Sequence, residues 1–493
     1  MIENYKARHL GLVFSTTECG AAVRDDAGNE AYAAVPMQGQ TNLRGWPSHH
    51  LEHIPEMLDA VLGDLRAAGW DFSQPGHLSQ AWRQHDLALI GEDNAPLIPA
   101  LSWQCNAATG ETKELTAKAP DLVRSVGRIE PRFVVAKLPW ILAEIPELQA
   151  NVRHVMLSGD WVNRMLTQHW RLGASDALCN GLLNQQTKAF AAAELEQANA
   201  IFGGRLQPDW FPPVIETSGI VGEVRDAAEP RWRGVTRLLT GWKAVAFLGD
   251  NQAAAAGCGA ADYRTIVISL GTSGTINRIC PPSAPLPDEV LSFDYWNDRL
   301  HLMMLAECGS WYELFKKSYE PNRDHAQLDE MAAGADLSQV RYVPPPGNAA
   351  AEPATWRSPE LASLGAKERV ASVQVSIALE LLKRAKHLSA AANGATPIDT
   401  FILTGGLVRA RLLRDVLHTG LHRLARRAEI LVNDRPGALA HKSDALGAIC
   451  NAMIAAGGAG VAAVIGSHSS LTPCAGPRQP SRGSLDALIR HVA

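Results

Sequence analysis

The chain of 493 residues is 46% hydrophobic and 20% charged, with a formal net charge of −5, which excludes a disordered chain and a continuous coiled coil. Near-balanced charge leaves no basic face for nucleic acid and no polybasic run for a membrane, so neither is expected as a partner. The length exceeds what one ordinary core accommodates, and two large domains are the expectation.

The opening "MIENYKARHL" lacks the apolar stretch of a signal peptide. No window reaches the ~18 continuous apolar residues of a membrane span. The eight cysteines, Cys19, Cys105, Cys179, Cys258, Cys280, Cys308, Cys450 and Cys474, form no CxxC or CxxH pair, so buried reduced thiols and a cytoplasmic location are expected.

Residues 9–26, "HLGLVFSTTECGAAVRDD", read as an apolar strand, a small hydroxyl-rich turn and a second strand. Apolar residues at helical spacing with a glycine stop then predict a helix within "SHHLEHIPEMLDAVLGDLRAAG" at 48–69. The same strand–turn–strand layout returns about half a chain later in "RTIVISLGTSGTINRIC" at 264–280. That distance fits duplication of a whole domain better than a solenoid period. A helix is predicted in "RVASVQVSIALELLKRAKHLSAAANG" at 369–394, followed by the strand "TFILTGG". The mixture argues an α/β protein. Proline-rich loops are expected at 281–289 and 343–356, and a loose tail around "TPCAGPRQPSRG".

Three stretches carry chemistry. In "FLGDNQAAAAGCGAAD" (247–262) a strand end delivers Asp250 to the start of a small-residue helix, where a side chain can project into a cleft or simply cap the helix. In "SLGTSGT" (269–275) the backbone N–H groups of Gly271, Thr272, Ser273 and Gly274 can converge on a phosphate oxygen, although an ordinary hairpin reads the same way. In "TFILTGGLVRARLLRDVL" (400–417) a strand, Gly405–Gly406 and an amphipathic helix form a layout that lays a nucleotide on a helix N-terminus, or a packing turn.

In this order the pieces resemble the FGGY carbohydrate kinases, and within them the xylulokinase branch. "GDNQAAAAGCG" resembles the family's general-base segment, "SLGTSGT" its second phosphate hairpin and "LTGGLVRARLLRDVL" its adenosine segment. "VMLSGDWVNRMLT" (155–167) and "GASDALCNG" (173–181) are similar to two further family stretches. The resemblance implies an α/β chain of two actin-like, ribonuclease H-like domains around a central cleft, divided here as 1–258 for sugar and the first phosphate hairpin and 259–493 for nucleotide. It implies ATP and Mg²⁺ as cofactors, a small sugar as partner, and phosphorylation of D-xylulose or a related ketose or polyol. Asp250 would be the general base. His85, Trp103, Asp250 and Asn251 would bind sugar; Ser15, Thr16, Thr17, Gly271, Thr272, Ser273 and Gly274 would hold phosphates, and Gly405 and Gly406 the adenosine. A homodimer is the commonest assembly for such a protein.

The departures cluster in the first half. The family's hairpin Asp, first Gly and Lys are here Val13, Ser15 and Gly20; Cys105 stands where an Asp belongs in "SWQCN", and Thr404 where a third glycine belongs. Two consequences stay open at this stage: Mg²⁺ held mainly by ATP and water with activity retained, or a sugar- or nucleotide-binding sensor with little catalysis. No metal ligand is assigned from the sequence.

Overall fold

The computed structural model describes residues 5–287, 289–346, 356–391, 396–433, 439, 442–457, 459–468, 471–476 and 489. Most of the loop expected at 343–356 and of the tail around "TPCAGPRQPSRG" lies outside these. Strands β1 (His9–Phe14), β2 (Glu18–Arg24) and β3 (Glu30–Pro36) form an antiparallel meander. A short hairpin of β4 (Gln40–Leu43) and β5 (Trp46–His49) leads to helix α1 (Ile54–Ala67), whose buried Met57, Leu58, Val61, Leu62 and Leu65 lie on the face packed against β2 and β3. Strand β6 (His77–Trp82) then pairs parallel to β1. With β7 (Ile220–Glu223) and β8 (Lys243–Val245) the order is β7–β8–β6–β1–β2–β3. From Leu10 to Phe14 β1 is buried throughout, as expected for a central strand covered on both faces. The short β9 (Leu248–Gly249) continues beside the end of β6 and runs directly into helix α2 (Asp250–Gly257).

The second sheet repeats this plan. Strands β10 (Thr265–Leu270) and β11 (Gly274–Cys280) form a hairpin, β12 (Leu291–Tyr295) and β13 (Asp298–Leu305) extend it antiparallel, and β14 (Thr400–Thr404) pairs parallel to β10. Strands β15 (Glu429–Asn433) and β16 (Leu471–Pro473) complete the order β12–β13–β11–β10–β14–β15–β16. Helices α3 (Ala366–Ala391) and α4 (Arg411–Leu424) pack together on this half. In each sheet a hairpin's first strand is flanked by a later parallel strand, so both tight turns, 15–17 and 271–273, sit at the same place in the plan.

Helix α5 (Ser443–Ala456) follows β15 in the chain yet packs against α2, β1 and β6 of the first half. Small residues make this possible. A Cβ on Gly11 would come within 2.7 Å of the Ala445 carbonyl oxygen, while side chains on Gly257 and Gly447 would collide with the carbonyls of Ser443 and Ala253. Two buried cores result. One runs from Leu10 through Phe247 to Leu446 and Ile449, the other holds Trp311, Phe315, Leu382 and Phe401. Among the described residues no helix is long and apolar enough to cross a membrane, and all eight cysteines are free and buried.

Candidate active site

The first hairpin turn is largely self-satisfied. Ser15 Oγ accepts the N–H groups of Thr17 (3.2 Å) and Glu18 (3.0 Å), and Ser15 N–H donates to the Glu18 carbonyl at 3.0 Å. The exposed hydroxyls of Thr16 and Thr17 are therefore what the turn presents outward, while Ser15 is a brace for it. Register places Val13 opposite Gly20. Val13 is buried, and the space above Gly20 is taken by the Tyr32 hydroxyl. That hydroxyl donates to Glu18 Oε1 at 2.6 Å, and Lys442, just before α5, donates to the same oxygen while lying 4.8 Å over the Tyr32 ring. Burial works against the Glu18 charge, yet the hydrogen bonds from Lys442 and Tyr32 hold its carboxyl below the ordinary value.

The second turn is built with the adenosine segment. Ser269 pairs with Thr404 across β10 and β14. Gly405 (φ 95°) lies so close behind that a Cβ would come within 2.7 Å of the Leu270 carbonyl and 3.0 Å of the Gly271 nitrogen, a conformation and approach that demand glycine. Behind the turn, the N–H groups of Gly309 and Ser310 donate to the carbonyls of Gly271 (2.9 Å) and Thr272 (3.0 Å). These bonds occupy carbonyls only. The structure thus brings Gly271, Thr272, Ser273 and Gly274 together with Gly405.

Asp250 opens α2. Gly249 (φ −61°, ψ 149°) is the capping residue, so Asp250 stands inside the first turn rather than serving as the cap. Its Oδ1 accepts from Asn251 N–H at 2.8 Å, and the Asn251 amide is held by Gln84 Oε1 at 2.7 Å. The Gln84 amide in turn donates to Gln252 Oε1 at 2.8 Å, and Gln252 donates to the Ser175 carbonyl at 2.8 Å. Burial pushes the Asp250 carboxyl up to about 7; the Asn251 N–H and the Arg83 charge oppose that, and the charges of Asp444 and Asp86 add to it.

His85 does not present its ring to open solvent. It is buried at φ 63°, its N–H donates to Asp176 Oδ2 at 3.1 Å, and its ring stacks on Phe133 with centroids 5.0 Å apart. Its Nδ1 sits 3.2 Å from Asn180 Oδ1 and 3.8 Å from Cys179 Sγ, and the donor atoms of His85, Asp176 and Cys179 lie within 4.8 Å of one another. Burial holds the imidazole neutral, and it raises the Asp176 carboxyl to about 7 against the hydrogen bonds from Cys179 and His85.

Trp103 is half-buried and lines a cavity with Thr16 and Arg83; His85 and Asp250 lie outside that lining.

Two residues that the sequence reading passed over organise this region. Asp86 accepts from Trp82 Nε1 (3.0 Å), Arg83 (3.3 Å) and the Trp103 backbone N–H (3.1 Å). Lys137 is fully buried and caps the carbonyls of His85, Ser102 (3.2 Å) and Leu101 (3.4 Å), burial bringing its pKa down to about 8. A lone lysine inside the apolar run "FVVAKLPWIL" is the signal that could have flagged it. Asp86 offered no such signal, because its partners come from both sides of the chain.

Residues 10–257 match the N-terminal domain of the FGGY family of carbohydrate kinases. The chain belongs to that family. A xylulose kinase of Lactococcus lactis is 24% identical over 290 residues, which cover 58% of this chain and 56% of the relative, so the chain spans little more than half of that protein's length in the match. Over the whole fold the chain is similar to a structure titled a xyloylose kinase from Brucella ovis, with a TM-score of 0.81 and 21% identity over 98% of this chain and 97% of that one. It is also similar to a ligand-bound xylulose kinase from Lactobacillus acidophilus, with a TM-score of 0.82 and 16% identity over 99% and 97%. The two repeated sheets are therefore those of the two-domain, actin-like ATPase fold of FGGY kinases, as the sequence resemblance implied.

Proposed function

We propose that this chain transfers the γ-phosphoryl group of ATP to a hydroxyl of a small neutral sugar, with D-xylulose or a related ketose or polyol as acceptor. The observation that supports it most is Asp250: a half-buried carboxylate at a strand-to-helix junction, tied by Asn251 and Gln84, with its pKa raised to about 7. Such a group can take the acceptor's proton at neutral pH. As the sugar oxygen bonds to the γ-phosphorus, its proton passes to Asp250 and the β–γ bridging oxygen leaves with ADP. In this reading residues 1–258 bind the sugar and 259–493 the nucleotide. Thr16 and Thr17 face the phosphates from one side, Gly271–Gly274 from the other, and Gly405–Gly406 bed the adenosine.

Mg²⁺ supplies neutralisation of the triphosphate when bound. The first turn offers it hydroxyls and no carboxylate, which fits an ion carried on phosphate oxygens and water with the negative charges of Asp250 and Asp444 nearby. We assign no protein ligand to it.

A coupled ADP-release assay over pentuloses, hexuloses and polyols tests the reading. Sugar-dependent turnover is expected, and Asp250→Asn should lower kcat by about 10²–10⁴, the range of positioned base catalysis. ATP-induced thermal stabilisation without turnover on any acceptor would point instead to a ligand sensor.

A further inference from the structure

His85, Asp176 and Cys179 are buried together, and their donor atoms all lie within 4.8 Å of one another. Two of them come from one stretch. Asp176 belongs to the helical turn Ala174–Ala177 and Cys179 to the 3-10 turn Leu178–Asn180 that continues it, and a separation of three residues sets both side chains on one face. His85 reaches them from a distant segment. A local pair with two residues between, completed by a remote ligand, is how protein zinc sites are commonly assembled.

The distances suit such an ion. Cys179 Sγ is 3.2 Å from Asp176 Oδ1 and 3.8 Å from His85 Nδ1. Bonds of about 2.3 Å to sulfur and about 2.1 Å to nitrogen or oxygen, at tetrahedral angles, put sulfur about 3.6 Å from the other ligand atoms, between those two separations. The donors are also held in place by their surroundings. The His85 backbone N–H straddles the Asp176 carboxylate, 3.1 Å from Oδ2 and 3.4 Å from Oδ1, and Phe133 stacks on the imidazole. Asn180 Oδ1, 3.2 Å from Nδ1, is itself fixed by the Val134 N–H at 3.0 Å. Cys179 and Phe133 line a cavity of about 10 Å³, room for a single water as a fourth ligand.

Nearby charge admits a cation. Arg132 pairs with Glu130 at 2.5 Å, and Lys137 spends its ammonium on the carbonyls of His85, Ser102 and Leu101. Asp86 and Asp250 add negative charge that is felt at Asp176. Sulfur and imidazole together select a borderline-soft ion, whereas Mg²⁺ prefers oxygen alone.

We infer that His85, Asp176 and Cys179 form a binding site for Zn²⁺ or a similar borderline-soft divalent ion, chemically distinct from the oxygen-ligated Mg²⁺ of the proposed reaction. The Cys179 proton leaves to solvent as the thiolate binds, and His85 coordinates through Nδ1 with its own proton on Nε2. The ion ties the His85 segment to the 174–180 turn. This assignment stands independently of the kinase reading.

In the test, the full chain is stripped with a chelator and titrated with Co²⁺ and then Zn²⁺. One Co²⁺ per chain should bring a near-ultraviolet thiolate-to-cobalt band and the visible bands of a tetrahedral ion, and Zn²⁺ should bleach both. Cys179→Ser should abolish the charge-transfer band and weaken Zn²⁺ binding by at least about tenfold, the lower end of what even an outer-shell partner contributes. Cys280→Ser, at a buried thiol on β11 outside the cluster, should leave both unchanged. X-ray absorption on the Zn²⁺-loaded wild type needs no variant: one sulfur at about 2.3 Å with nitrogen and oxygen at about 2.0–2.2 Å is expected. A shell of nitrogen and oxygen only, a charge-transfer band that survives Cys179→Ser, or no ion retained through dialysis would overturn the site.

Discussion

Asp250 sits where burial and neighbouring carboxylates both oppose its charge, and that fixes how activity should depend on pH. The proposed base must be ionised to accept the acceptor's proton, so kcat/KM is expected to rise with pH through about 7 and level off above. Asp444 is one of the anions that raise this pKa. Its own carboxyl is raised by burial, against the Ala445 N–H and the charge of Lys442. Asp444→Asn removes a negative charge and should move the acidic limb of the pH–rate profile to lower pH with little change in the rate at pH 8. A limb that stays in place while activity is retained would show that Asp250 does not feel Asp444. The placement of Asp250 at a helix start and of Gly271–Gly274 in a turn against Gly405 was legible in the sequence because each depends on a local pattern: a strand end before a small-residue helix, or a glycine where backbone must approach backbone. The roles of Ser15 as turn brace, Asp86 as anchor and Tyr32 over Gly20 were not, because each depends on strand register or on partners far along the chain.

At the level of elements, the repeated plan was visible as two strand–turn–strand stretches half a chain apart, and the sheets confirm it in strand order. What the local patterns did not reveal is the crossing of α2 and α5. The sequence offers only runs of small residues there, "QAAAAGCG" and "SDALGA", and small residues say that something approaches closely without saying what. The structure supplies the partner: Gly257 and Gly447 lie where the other helix's carbonyls leave no room for a Cβ. Gly447→Ala should therefore force the two helices apart. In thermal or denaturant unfolding the expected loss is about 1–3 kcal/mol, the usual cost of overpacking, less the few tenths to 1 kcal/mol that Gly→Ala contributes in a helix interior. Because α2 begins at Asp250, turnover should fall by more than stability alone explains. Full stability and full kcat in that variant would mean that the crossing yields without displacing Asp250, the proposed base.

Across the whole molecule the chain returns on itself: the segment that leaves the second sheet comes back to the first and sets Lys442 on Glu18, 424 positions earlier. This contact bears on the departures at Val13 and Gly20. The first hairpin turn, proposed to face phosphate, carries no cation at Gly20, and Glu18 immediately after it is an anion that would repel a triphosphate there. Arg83 nearby is committed to Asp86 and the Ser15 carbonyl. Lys442 is partly exposed, with 29% of its side-chain surface accessible, and its ammonium offsets Glu18 next to the turn. The positive charge at this turn is thus delivered by the far end of the chain. Lys442→Met should leave Glu18 uncompensated and raise KM for ATP about fivefold to tenfold, in line with loss of a charge-assisted contact at a partly exposed site, while KM for the acceptor stays within twofold. Glu18→Gln in the same background removes the stranded anion and should recover much of the ATP affinity. The double variant separates two causes: recovery assigns the effect to the charge at the turn, whereas a persistent defect assigns it to displacement of α5, which Lys442 precedes by one residue turn-wise and holds against the hairpin through Tyr32 and Glu18.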